Sequence, residues 1–185
     1  MTGPNRRAVL GGAAAAALLA GPAAAHTLWN QWRVYRRKHL LVVCHRQDPG
    51  AFAEAKALEA LAAVELPSAN MRIARAPHPG RIASLLGTGQ LGYALVRPGE
   101  AAQLAAGEGE FAPYGPVETR LVGGVADWLL VADPAEPARH VWLLRSMLSQ
   151  GRLPSAAELR SPVAFHPGAA AHDGGIPLEH LPDPA

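Results

Sequence analysis

The chain has 185 residues, 17 of them Lys or Arg and 15 Asp or Glu, for a net charge of +2. No run of basic residues interleaved with aromatics continues past Lys38, which argues against nucleic acid as a partner, and a single cysteine, Cys44, excludes an intramolecular disulfide. Nearly one residue in five is Gly or Pro (19 and 17), rich in turns but below the level that marks a disordered, low-complexity chain.

In chain order, Asn5-Arg6-Arg7-Ala8-Val9-Leu10 is a twin-arginine start. An apolar, alanine-rich run from Gly11 to Ala20, a Gly21-Pro22 break and the small residues Ala23-Ala24-Ala25 follow it. A basic n-region, an apolar h-region and a small-residue cleavage site, in that order, form a bacterial export signal. The paired arginines favour the twin-arginine route, so residues 1–25 are read as a signal and the mature protein as periplasmic. The alternative is an uncleaved inner-membrane anchor, because Arg33, Arg36, Arg37 and Lys38 lie close enough to meet anionic headgroups. Residues 26–38 are an aromatic and basic lead-in, with Trp29, Trp32 and Tyr35 recurring at a spacing of three. They are either a short segment docked on the domain or a foothold on the membrane surface.

From Leu40 a repeating pattern begins. Leu40 to Cys44 is a continuous apolar run, as expected of a strand covered on both faces, with Cys44 inside it. Asp48-Pro49 supplies an N-cap and a proline at the first helical position. A helix over about Pro49 to Val64 then sets Ala51, Ala55, Leu58 and Ala62 on one face, and Pro67 stops it. Met71 to Ala76 is the second strand. Pro77-His78-Pro79-Gly80 leads into a short helix with Ile82, Leu85 and Leu86, closed by Gly87-Thr88-Gly89. Leu91 to Val96 is the third strand, and Pro98 begins a third helix ending at Gly107. Arg120 to Gly124 and Trp128 to Ala132 are two strands or one long bent strand. A helix over Pro137 to Gln150 has Gly151 as its stop. Ser155 and Glu158 read as a capping box for a last short helix, and residues 161–185 are a Pro/Gly-rich tail.

Strands alternating with helices at these intervals predict βαβ units, right-handed crossovers and a parallel sheet. The fold class is α/β: one lobe over residues 39–160, with a mainly parallel sheet flanked by helices. Binding loops then belong at the carboxyl ends of the strands, in His45–Gly50, Pro77–Arg81 and Arg97–Glu100. No catalytic signature is present; there is no G-x-S-x-G, Walker A or H-E-x-x-H sequence, so an enzyme is not expected. His166 and His172-Asp173 lack a third partner at helical spacing, so no metal or cofactor is expected either. The strand-end loops instead carry His45, Arg46, His78, Arg81 and Arg97, with Gly50 and Gly80 beside helix starts. Helix N-terminal amides and arginine forks suit a carboxylate.

Residues 71–76 followed by Gly80 to Val96 give a strand, a loop, a helix ending in a short glycine turn, and a strand. In that order they resemble the TAXI-type solute-binding proteins of TRAP transporters. The block Ala101 to Leu130 is similar to the segment that follows there, and Phe165-His166-Pro167-Gly168-Ala169 is similar to the histidine-proline-glycine-alanine sequence near that family's C-terminus. The resemblance implies a periplasmic-binding-protein-like lobe, a small anionic solute such as a carboxylate or amino acid, and a TRAP permease as partner. Family members have two lobes, whereas this chain passes from Asp133-Pro134 almost directly to its C-terminal helix. Pro79-Gly80-Arg81 stands where the family offers a glycine-serine pair, and Arg97-Pro98 where glutamine or aspartate is usual. The expected ligand residues are Arg97, Arg81, His78 and Gly80, as ion-pair and backbone donors, with Trp128 as an apolar wall. One lobe cannot bury the roughly 70–90% of a ligand that good pockets reach, so a homodimer or partner would supply the other wall. The alternative function is a degenerate lobe serving as a protein-interaction module or a membrane-anchored accessory or sensor.

Overall fold

A five-stranded sheet with strand order 2-1-3-5-4 carries the molecule. The computed structural model describes residues 35–150, 157–158 and 161–182. The expected signal, Trp29, Trp32, Gly151 and Ser155 lie outside these residues. From Lys38 onward the chain is one compact unit, to which all that follows refers.

Strand β1 (Leu41–His45) is followed by helix α1 (Pro49–Glu65), β2 (Arg72–Ala76), α2 (Pro79–Gly87), β3 (Tyr93–Val96) and α3 (Pro98–Ala106). Each helix begins with proline in its first turn, where the missing N–H costs nothing and φ is already helical. A 3-10 segment (Gly109–Tyr114) leads to β4 (Arg120–Val125) and β5 (Trp128–Ala132). Helix α4 (Ala138–Gln150) and the short α5 (Pro167–Asp173) complete the unit.

The sheet separates two apolar layers. Val42, Cys44, Leu95 and Leu130 face one side, where the buried stripe of α1 (Ala51, Ala55, Leu58, Ala62) packs with Val141, Leu144 and Leu148 of α4. Leu41, Val43, Ala94, Val96 and Leu129 face the other, against Ile82 and Leu86 of α2, Leu104 of α3 and Phe111. Period-two alternation with both faces apolar is the mark of a central strand covered twice, and it accounts for the unbroken apolar runs in β1, β3 and β5. Cys44 is fully buried, and burial pushes its thiol up to about 11.

The sheet is mixed, which corrects the expectation of a mainly parallel one. β1 pairs in parallel with β2 and β3, whereas β5 pairs antiparallel with both β3 and β4. The cause is the connection between β4 and β5. Val125 is paired with Trp128, leaving only Ala126 and Asp127 between the strands. Parallel neighbours need a crossover of a dozen or more residues, so a two-residue link dictates a hairpin. Ala126 turns it at φ 51°, in the region where glycine is the usual occupant. The two runs are therefore separate strands, and β5 folds back into the slot between β3 and β4.

The Pro/Gly-rich segment is joined to the sheet. The amide of Leu121 donates to the Ala164 carbonyl and that of His166 to the Leu121 carbonyl, covering the outer edge of β4. His166 is 1% exposed; its Nδ1 accepts the Gly168 amide at 3.1 Å and caps α5.

Candidate functional site

β1 leads through α1 to one side of the sheet, and β3 leads through α3 to the other. Where strand order reverses in this way, the loops after the two strands run to opposite faces, and this is the point at which open α/β sheets bind their ligands. The chain places Asp48 there after β1 and Arg97 directly after β3. Trp128 joins them because the antiparallel register sets Val96 opposite Leu129, so the first residue of β5 lies beside the residue that follows β3.

The three side chains form one cluster. The Arg97 guanidinium carbon sits 4.1 Å from the centre of the Trp128 ring, within cation–π range. Its Nε and Nη2 both donate to Asp48 Oδ2, at 3.4 and 3.1 Å. Asp48 Oδ1 accepts the amides of Gly50 at 2.9 Å and Ala51 at 3.1 Å, capping α1. Partial burial alone would raise the Asp48 carboxyl, but the Ala51 amide, the Arg97 guanidinium and the Gly50 amide outweigh it and hold it below the ordinary aspartate value. Gly50 belongs to the same floor: a Cβ there would lie 3.5 Å from the Trp128 ring and 4.0 Å from Arg97 Nη2. Trp128 itself is buried, with Arg97 lying over its face. At the end of β1, His45 Nε2 is shielded from solvent without a hydrogen-bond partner.

The remaining expected residues gather at the end of β2. His78 caps α2, its Nδ1 accepting the Arg81 amide at 3.2 Å, and Arg81 Nη1 donates to Ser84 Oγ at 3.1 Å. Gly80 is buried; a Cβ there would run into the Tyr114 ring and the Glu110 carbonyl, so its lack of a side chain lets the 3-10 segment close over the start of α2. Among the five expected ligand residues, Arg97 and Trp128 are in contact. His78 and Arg81 form a separate local pair, and Gly80 is sealed under Tyr114. Arg75 and Arg46 lie nearby: Arg75 Nη2 donates to the Arg46 carbonyl at 3.4 Å and stacks on the Phe52 ring at 4.5 Å.

In the sequence, Asp48 reads as a helix cap alone. Its second role, as the counter-ion of Arg97, joins residues 49 positions apart and left no local signal. A second unforeseen cluster lies elsewhere. Arg145 Nη1 and Nη2 donate to Glu158 Oε2 and Oε1 at 2.8 and 2.7 Å, and its Nε and Nη2 donate to Asp173 at 2.8 Å each. Glu158 Oε2 also accepts the Gly124 amide at 3.0 Å. His172 and Asp173 contact each other at 3.1 Å, and among the described residues no group of three or more His, Cys, Asp or Glu side chains is placed to hold a metal.

At the opposite end of β3, Tyr93 and Glu136 are neighbours. Burial raises the Glu136 carboxyl above the ordinary glutamate value and the Tyr93 hydroxyl above its own. Tyr93 Oη is buried without a well-formed hydrogen bond.

No protein-family model matches the chain, and no curated protein matches it.

Proposed function

We propose that this chain is an exported, single-lobed, non-catalytic solute-binding protein of the TAXI type, serving a TRAP transport system. It holds a small anionic solute, a carboxylate or amino acid, between the ends of β1 and β3. The observation that carries the reading is Arg97, whose guanidinium carbon lies over the Trp128 ring at 4.1 Å from its centre. A planar guanidinium held in place is a pre-organised carboxylate fork. Further support comes from the order of elements in residues 71–96, a strand, a loop, a helix ending in a glycine turn and a strand, and from the export-signal pattern in residues 1–25. The described lobe offers one wall, and another copy of the chain or the permease would supply the second. Among the described residues no helix is long and apolar enough to cross a membrane.

A second reading, a degenerate lobe that docks on another periplasmic protein, is favoured by one observation: Asp48 already neutralises Arg97. Thermal unfolding in the presence of dicarboxylates and amino acids separates the two. A solute that binds only the native state adds about 2.7 kcal/mol at a hundredfold excess over its Kd. That gain is expected in the wild type and absent in Arg97→Ala. No stabilisation by any compound, together with a co-purifying protein, would move the conclusion to the second reading.

A further inference from the structure

We propose that Asp48 is a resident competitor for the Arg97 fork, a carboxylate tethered in the place that a solute's carboxylate would take. The inference rests on the solute-capture reading and sets how that site is regulated. The Nε and Nη2 edge of a guanidinium can receive the two oxygens of a carboxylate in parallel hydrogen bonds, and one oxygen of Asp48 occupies it.

Three features mark this contact as a displaceable occupant. The first is length. Charge-assisted N–H···O bonds run at about 2.7–2.9 Å. Arg145 reaches 2.7 and 2.8 Å with its carboxylates, whereas Arg97 and Asp48 stand at 3.1 and 3.4 Å, with a single oxygen shared between two donors. The second is exposure: the Arg97 side chain is 51% exposed and that of Asp48 25%, so water and an incoming anion can compete for the pair. The third is that each partner keeps another anchor when the contact opens. Trp128 holds the guanidinium from below, and Asp48 Oδ1 stays on the Gly50 and Ala51 amides. The fork therefore survives the loss of Asp48 in its existing orientation.

Asn and Ser cap helices about as well as Asp, so Asp48→Asn and Asp48→Ser remove the competing charge while keeping the start of α1. The probe is succinate, with binding to the full chain measured by titration calorimetry and the fold checked by circular dichroism. Removing an intramolecular competitor and one like charge beside the site should tighten succinate binding about five- to twentyfold in both variants. Arg97→Ala combined with Asp48→Asn should abolish the gain. Equal affinity in wild type and both Asp48 variants would overturn the competitor role and leave solute capture standing. Weaker binding in the variants would also overturn it, making Asp48 a contact to the solute. No succinate binding in any of the proteins would overturn the competitor role, while the solute-capture reading itself falls only with the wider screen of dicarboxylates and amino acids.

Discussion

Replacing Arg145 by methionine tests the idea that one guanidinium joins three parts of the chain. Arg145 projects from α4, and its four hydrogen bonds of 2.7–2.8 Å reach Glu158 and, at the end of α5, Asp173. Its side chain is 14% exposed, that of Glu158 21% and that of Asp173 38%. Breaking a well-buried pair by deleting one partner costs about 3–5 kcal/mol, while exposed pairs contribute about 0–1 kcal/mol. The Glu158 half belongs nearer the first range and the Asp173 half nearer the second. Methionine keeps much of the apolar stem and leaves two carboxylates facing each other, so the expected loss is about 3 kcal/mol. In a domain of this size that is roughly 6–12 °C in Tm. Lysine restores the charge without the double fork and should recover less than half of the loss. Urea unfolding followed by far-ultraviolet circular dichroism measures both. There is also an acid signature. The Arg145 hydrogen bonds hold Glu158 below its ordinary value, and they hold Asp173 low against the burial that would raise it. Their contribution is complete above the ordinary carboxylate values, fades as pH falls through the lower folded values, and should be missing in Arg145→Met. A loss under about 1 kcal/mol, or a lysine variant as stable as wild type, would refute the reasoning.

Two pH-dependent outcomes follow from the buried groups beside loop 133–137. Burial pushes the His166 imidazole below the ordinary histidine value of 6.5, partly offset by the Pro134 and Glu136 carbonyls, so the folded chain prefers the neutral ring. Stability should fall as pH drops from 6.5 toward the folded value, by at most about 1.4 kcal/mol per pH unit. His166→Asn, which can still accept the Gly168 amide, should flatten that limb in urea melts; an unchanged slope would exclude His166 as its source. Glu136 has the opposite sign. Its folded value is raised, so stability should decline as pH climbs from 4.5 through that higher value, and Glu136→Gln should remove this decline in thermal melts taken across the same range.

The elements through α3 were legible because each apolar run is punctuated by residues with a fixed conformational meaning. Asp48-Pro49, His78-Pro79 and Arg97-Pro98 start helices, and Gly87 to Gly89 and Gly107 end them. The mixed sheet was not legible because its cause is a turn without a turn signature. Ala126-Asp127 lacks the glycine or asparagine that announces a two-residue hairpin. At the ends of β1 and β3, Arg97 and Trp128 were both named from sequence, but their stacking depends on the β3–β5 register. The Asp48 counter-ion depends on two loops meeting across the switch point. Gly80 reads as a free backbone donor in a Pro-Gly loop; only the position of Tyr114 shows that it is sealed. The ties of Arg145 to Glu158 and Asp173 span 13 and 28 residues, beyond the reach of local pattern.

Among the described strands, the one that closes the sheet is also the last one made. As the chain leaves the ribosome, β1, β2 and β3 can zip together, but β4 has no neighbour on its inner side until Trp128 to Ala132 arrives and slides between it and β3. Without that strand, the inner edges of β3 and β4 have no partner, and unpaired strand edges are prone to aggregate. Assembly thus depends on a contact between segments distant in sequence, which favours a slow and cooperative final step. A chain stopped before residue 128 should therefore collect as insoluble material, because the keystone of its arch has not yet been laid.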